Sequence, residues 1–395
     1  MKFIKGTWNY NPMPAPVLSV FLILYGFIVQ AQESESPCRV FKKHSAAVKA
    51  IAFSYDGRIV ASGGDDKMIY FWDAQTGEFS GEIENPFAIK ALQFADNDNI
   101  LAACGPDIKL MDKSGKLIRT FGGYTTDIWS ISHHDSTHRI TAGSYSKSIR
   151  VWDFNSGKLI RTLEGHEKSC LPVCFNAAGN LIASGSLDKS VRLWDAASGA
   201  QKNKLEIHSG NIFAVAFHPS GKYLVSASAD KTIRLWNVES GKIVRTFTGH
   251  DAAVFDVRFS ADGNHLISCS ADRTIILWET ATGIKLHSFT GHTGFVNSVR
   301  FSPDGKYIAS VSDDQTMRIW SLEKKYYVES FYKQEIEDAV SSSPLLEPRK
   351  SDETRQAYAE REKQAERFLN DLYEEYYKKY IERIKQLSPE DLTHQ

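Results

Sequence analysis

Between residues 38 and 322 apolar and polar positions alternate in short runs, and each run is closed by Gly, Asp, Asn or Ser. The pattern is clearest at residues 250–291. There Val254–Phe259, His265–Ser268, Thr274–Trp278 and Lys285–Phe289 read as strands, because two-residue alternation with β-branched and aromatic side chains favours a strand over a helix. Ser260–Gly263, Ala271–Arg273 and Thr280–Gly283 read as the turns between them.

The same text recurs at a fixed period. His44 to Trp72, His166 to Trp194, His208 to Trp236, His250 to Trp278 and His292 to Trp320 each span 28 residues, and the tryptophans from Trp152 to Trp320 lie 42 apart. A period of this length means one supersecondary unit stacked on copies of itself. Residues 38–322 hold seven copies of a four-strand unit, so the length of the chain does not translate into several independent domains.

Outside the repeats the pattern changes. Residues 1–31 combine Lys2 and Lys5, the apolar run Val17–Val29 and a small residue at Ala31. That order predicts a secretory signal peptide, or a membrane anchor if it stays uncleaved, and hence a secreted or periplasmic protein. Residues 323–350, with Ser341-Ser342-Ser343-Pro344 and Pro348, read as a linker. Residues 351–388 read as a charged amphipathic helix capped by Ser351 or Asp352, with Phe368, Leu369, Leu372, Tyr373, Tyr376, Tyr380, Ile384 and Leu387 on one face. That face must bury against the repeats, a partner or a second copy.

The pairs Gly165-His166, Gly249-His250 and Gly291-His292, followed by Trp72-Asp73, Trp152-Asp153 and Trp194-Asp195, resemble the WD-repeat family. The resemblance covers about three quarters of the chain. It implies an all-β fold, a seven-bladed β-propeller of four-stranded blades, here with a C-terminal α-helical extension. It also implies a structural hydrogen-bond chain of His, Ser, Asp and Trp in each complete copy. These sets are His44, Ser62, Asp66 and Trp72; His166, Ser184, Asp188 and Trp194; His208, Ser226, Asp230 and Trp236; His250, Ser268, Asp272 and Trp278; and His292, Ser310, Asp314 and Trp320. A Ser-His-Asp set invites a hydrolase reading, but catalysis needs one set and the chain has five. Two copies depart: Asn85, Ala103 and Met111 stand in the second, and Tyr124, Ala142 and Ser146 in the third, so packing is expected to hold these blades. In the family an N-terminal strand usually completes the last blade. Arg39-Val40-Phe41 fits that role, with Lys325–Phe331 as the alternative.

The family's usual partner surface is the face carrying the His and turn-Asp loops. On it the resemblance places Trp129, Tyr145, Leu171, Leu187, Phe213, Phe255, Phe295 and Asn297, with Lys49, Lys90, Asp65 and Asp313 as a polar side. Aromatic anchors on a rigid rim suit a protein or peptide partner.

Composition narrows the function classes. With 47 basic and 48 acidic residues the chain has no field that would draw nucleic acid. Five cysteines make no disulfide framework, and Cys170 and Cys174 are too far apart along one strand to bridge. His133, His134, Asp135 and His138 have metal-like content but fall in a hairpin turn, where solvated histidines are the ordinary case. No phosphate loop, nucleophile elbow or zinc-spaced cysteine pair appears. No cofactor and no metal are expected. The expected function is a non-catalytic interaction scaffold outside the cytoplasm. The alternatives are a propeller hydrolase or lactonase and an intracellular signalling or assembly subunit.

Overall fold

The computed structural model describes residues 38–387. The expected signal at residues 1–31 therefore lies outside the described residues. Among the described residues, twenty-eight strands form seven antiparallel four-stranded blades. Blades one to six are β2–β5 (residues 48–84), β6–β9 (89–121), β10–β13 (128–163), β14–β17 (170–205), β18–β21 (212–247) and β22–β25 (254–289). Blade seven is β26–β28 (296–321) with β1 (Cys38–Lys42) as its outermost strand. Cys38 pairs with Trp320 and Lys42 with Thr316, so the N-terminal strand closes the ring and residues 325–331 do not. Pairing the two ends of the repeat array removes an open edge that either end alone would leave.

Each blade buries both faces against its neighbours. Val48, Ile51, Val60 and Trp72 of blade one pack with Ala309, Val311 and Ile319 of blade seven. Val257, Leu266 and Trp278 of blade six pack with Val225, Leu235 and Phe247 of blade five. Side chains alternate along a strand, so a short alternating run supplies one row to each interface. Outer-strand residues staple successive blades at the bottom. The guanidiniums of Arg39, Arg119, Arg161 and Arg245 donate to Gln75 O, Asn155 O, Ser198 O and Thr282 O of the following blade, and Asn203 donates to Val238 O.

Blades three and four are joined by a strand-to-strand bridge. Ser144 of β11 (Arg139–Ser144) bridges to Cys170 of β14 (Cys170–Phe175), and Cys170 N donates to Ser146 O at 2.8 Å. The approach depends on Gly143, where a Cβ would stand 2.3 Å from Leu171 O.

The segment expected to be a linker is largely helical. α1 (Lys324–Ser341) bends at Tyr332, and Pro344–Leu346 makes one 3-10 turn. The Ser/Pro cluster at 341–348 marks only the end of α1; residues 324–340 are mostly helix formers. α2 (Arg355–Gln386) is capped two or three residues later than expected, because Thr354 Oγ1 accepts the Ala357 N–H at 3.1 Å. The chain divides into two compact units. In one, residues 332–375, Arg361 holds Glu353 at 2.7 Å and donates to Glu347 O at 2.6 Å. In the other, the end of α2 from Tyr376 seats Tyr380 and Ile384 in buried positions alongside the blades.

Candidate protein-interaction face

In the five complete copies the indole N–H donates to the serine hydroxyl, at 3.3 Å from Trp72 and 2.8–2.9 Å elsewhere. The serine oxygen lies 2.8–2.9 Å from His Nε2. His Nδ1 lies 2.7–2.8 Å from the turn aspartate. That aspartate also accepts the backbone N–H one residue after the histidine, as in Ser209 N to Asp230 at 3.1 Å. Burial pushes Asp188, Asp230, Asp272 and Asp314 upward, but hydrogen bonds from the histidine and the following turn outweigh it and hold all four below the usual carboxylate range. Burial holds His44, His208 and His292 below the ordinary imidazole value despite the adjacent carboxylate. Each serine hydroxyl is fully buried and committed to two partners, which leaves no free nucleophile in these sets.

The departing copies differ from each other. In blade three, Tyr124 restores a polar link: its hydroxyl donates to Ala142 O at 2.7 Å and accepts Arg150 N at 2.9 Å, while Trp152 Nε1 turns to Gly122 O. Packing alone does not hold this blade, contrary to the expectation. Blade two keeps only long contacts, Asn85 Nδ2 to Ile83 O at 3.5 Å and Cys104 Sγ to Asn85 Oδ1 at 3.7 Å. There the packing of Ile89, Leu92, Phe94, Ile100 and Met111 carries the load.

On the end bearing these His and Asp loops, here called the top, every inner strand carries a β-bulge at one place. The unpaired residues are Lys49, Lys90, Trp129, Leu171 with Pro172, Phe213, Phe255 and Asn297. A bulge re-aims a side chain away from the pleat, and here it places one residue per blade beside its neighbours. Phe213 meets Phe255 edge to face at 5.4 Å, and Phe255 meets Phe295 at 6.1 Å, across blades five, six and seven. Trp129 and Tyr145 meet at 5.8 Å on blade three. Lys49 pairs with Asp313 at 2.5 Å, Asn297 donates to Asp313 at 2.8 Å, and Lys90 pairs with Asp65. Phe295 and Tyr145 are exposed; Trp129, Leu187, Phe213, Phe255 and Asn297 are half-buried.

Leu171 is a correction. It is only 2 % exposed, because Ser130 Oγ donates to its carbonyl at 2.8 Å and blade three closes over it. The histidine cluster is a second correction. His133 is buried against Phe154, with ring centroids 4.1 Å apart, and His134 bonds Thr137 Oγ1 and Ala177 O, each at 3.0 Å. Neither is a solvated loop residue. Asp135 Oδ1 lies 3.0 Å from His133 Nδ1, off the angle a hydrogen bond needs, and Tyr55 donates to the same carboxylate. None of the five cysteines is joined in a disulfide. Among the described residues no helix is long and apolar enough to cross a membrane.

Sequence reading missed two groups. Phe87 is exposed and lies against the Gly105 turn of blade two, a copy that departs from the repeat pattern and has no aromatic counterpart at this place to flag it. The second group is His265, Glu279 and His287 on blade six. Tyr380 OH lies 3.0 Å from His265 Nε2, Arg383 pairs with Glu279 at 2.5 Å, and Tyr326 stacks on His287 at 3.8 Å. A signal was present: Glu279 stands where other copies carry Asp73, Asp153 or Asp195, and His287 where they carry Arg39, Arg119, Arg161 or Arg245.

Similar proteins match over part of the repeat region. The transcriptional corepressor LEUNIG_HOMOLOG of Arabidopsis thaliana is 32% identical over 121 residues, 29% of this chain and 15% of that protein. Pre-mRNA-processing factor 17 of Homo sapiens is 28% identical over 123 residues, 30% and 21% of the two chains. WD repeat-containing protein 25 of Mus musculus is 30% identical over 139 residues, 32% and 26%. The chain thus spans about a quarter or less of the length of these relatives. They correct the expectation of a secreted or periplasmic protein: two are named for transcription and pre-mRNA processing, which take place inside cells. An apolar run of signal length is too short a pattern to fix a compartment by itself. WD-repeat proteins bind protein partners, and the family that matches is one of structural repeats. Its model, WD domain, G-beta repeat, matches residues 35–73, 115–153, 157–195, 199–237, 241–279 and 283–321, passing over the divergent copy at 74–114. Six matched repeats take up more than half of the sequence, and the chain belongs to the WD40 family.

Proposed function

We propose that this chain is a non-catalytic platform in an intracellular protein assembly, holding a protein or peptide on the top of its propeller. The observation behind this reading is the bulge shared by all seven inner strands. It turns Phe213 and Phe255 onto the top, where Phe295, just before the inner strand of blade seven, continues the run over a third blade. Trp129 and Tyr145 form a second anchor, Leu187 extends it on blade four, and Asn297 joins the aromatic run to the Lys49–Asp313 pair. Rigid aromatic anchors beside a polar rim are what concentrate binding energy in protein interfaces. The relatives named for corepression and pre-mRNA processing support the intracellular setting. The five buried His-Ser-Asp-Trp sets serve the platform by fixing the loops around the top. A crosslinking pull-down from cells with wild-type chain and with Phe213→Ala/Phe255→Ala tests the reading. Loss of a discrete set of partners is expected; an unchanged set refutes it.

A further inference from the structure

The outer strands carry a bulge too, beside the tryptophan of the strand within, or beside Met111 in blade two. The residue it leaves unpaired is Ser80, Ile118, Ile160, Lys202, Val244 or Leu286 in blades one to six. This side chain stands on the outer rim, away from the top. In blade six Leu286 is covered and only 6 % exposed. Its cover is the start of α1: Tyr326 stacks on His287 at 3.8 Å, and Ser330 Oγ donates to the outer-strand carbonyls of Lys285 and Leu286 at 3.3 and 3.4 Å. Blade four carries Lys202 at this position, a charge that guards an open edge.

Blades two and three have neither device. Ile118 is 47 % and Ile160 42 % exposed, and Leu117 and Leu159 beside them are exposed as well. Both ledges share one spelling, Lys116-Leu117-Ile118-Arg119-Thr120 and Lys158-Leu159-Ile160-Arg161-Thr162, without an acidic residue. The carboxylates of the turns that precede the ledges, Asp112 and Asp153, are held in those turns by hydrogen bonds from Ser114 N at 2.9 Å and Ser156 N at 2.7 Å. Each ledge is therefore an aliphatic pair set in positive charge, at the position that α1 covers on blade six.

We infer that the outer edges of blades two and three dock an amphipathic helix of a partner protein, with an aliphatic or aromatic stripe flanked by acidic residues. The blade-six ledge shows the seating: a helix lies over the bulge residue, rings fill the step, and a hydroxyl satisfies the strand carbonyls. The basic ledges at 116–120 and 158–162 select acidic flanks over basic ones. This surface is separate from the top face, and its test does not depend on the top-face partner.

The test uses the full chain and three fluorescein-labelled peptides: an amphipathic helix with Leu and Tyr on one face and Glu on the other, its Lys counterpart, and a scrambled Glu peptide. Fluorescence anisotropy is read on wild type, on Ile118→Asp/Ile160→Asp, and on Lys116→Glu/Lys158→Glu, with tryptophan emission and sedimentation checking fold and mass. The acidic amphipathic peptide should bind wild type at least tenfold more tightly than the other two peptides, and each variant should lose at least tenfold. Three outcomes overturn the inference. One is equal binding of all peptides or by all variants. The second is no binding by the full chain, the result if another part of the chain occupies the ledges. The third is a wild-type dimer that the Ile118→Asp/Ile160→Asp chain converts to monomer, which would assign the ledges to a second copy.

Discussion

The hydroxyl of Tyr380 and Nε2 of His265 lie 3.0 Å apart, both side chains buried on blade six and 115 residues apart in sequence. Burial holds His265 below the ordinary imidazole value, so the ring is neutral and shares a hydrogen bond with the phenol. Tyr380→Phe keeps the ring packing with Tyr327 and Phe331 and removes the hydroxyl that meets His265 and the neighbouring Glu279 carboxylate. A buried group left unpaired costs about 1–3 kcal/mol. Urea denaturation should show a lower midpoint with an unchanged slope; an unchanged midpoint refutes the role given to the pair.

Arg383 and Glu279 should respond unequally to mutation. The Glu279 side chain is 1% exposed, whereas Arg383 is 29% exposed and can rehydrate when its partner is lost. Arg383→Met strands a buried carboxylate, a loss of about 3–5 kcal/mol. Glu279→Gln should cost less, since an amide can still meet Thr282 and Arg383. Amide hydrogen exchange over residues 376–386 is the readout, and equal or reversed effects contradict the asymmetry.

The buried serines set a second scale. Ser226→Ala strands Trp236 Nε1 and His208 Nε2 together, two groups that Ser226 Oγ meets at 2.8 Å. The expected loss is about 2–6 kcal/mol, counted as two unpaired buried groups. Thermal unfolding measures it, and a loss below about 1 kcal/mol, the net worth of a single ordinary hydrogen bond, would mean that packing alone holds the blade.

Gly143→Ala places a Cβ 2.3 Å from Leu171 O, a backbone atom that cannot turn aside. Blades three and four must separate there, at about 1–3 kcal/mol for overpacking. Leu171 should then become accessible, so exchange of the amides around Cys170 should quicken. A variant with wild-type exchange at that place would refute the close approach.

Acid should destabilise the propeller in two stages. His44, His208 and His292 lie below the unfolded value of 6.5 because burial outweighs the neighbouring aspartate, and His287 is down at about 4 through burial and Lys325. A folded value below the unfolded one means that the unfolded chain takes up protons first, so stability falls as pH drops from 6.5 toward 4. Asp188, Asp230, Asp272 and Asp314 are held below 3.8, so their contribution is present above that pH and is lost as pH falls through their folded values. Scanning calorimetry should show Tm declining already between pH 7 and pH 5; a flat Tm over that range contradicts the histidine stage.

Much of the architecture was legible because it repeats. The 28-residue step from His to Trp fixes three strands and the two turns between them at the same places in five copies, and in blade six the expected strand ends fall within two residues of those observed. Blade three was misjudged because Tyr124 does by its hydroxyl what His and Ser do elsewhere, a replacement that no spacing rule shows. α1 was missed because Ser341–Pro344 outweighed the helix formers before it.

By itself the sequence determined the repeat, the strand alternation and the residues of the polar sets, since these depend on local periodicity and on a few chemical types at fixed offsets. Tertiary structure decided which strand closes blade seven, that Leu171 is buried while Phe295 is open, and that Tyr380 and Arg383 meet His265 and Glu279. Those outcomes depend on how close two blades or a distant helix approach. The deciding atoms, such as the missing Cβ of Gly143 or the extra methylene of Glu279, act on neighbours that only folding brings within reach.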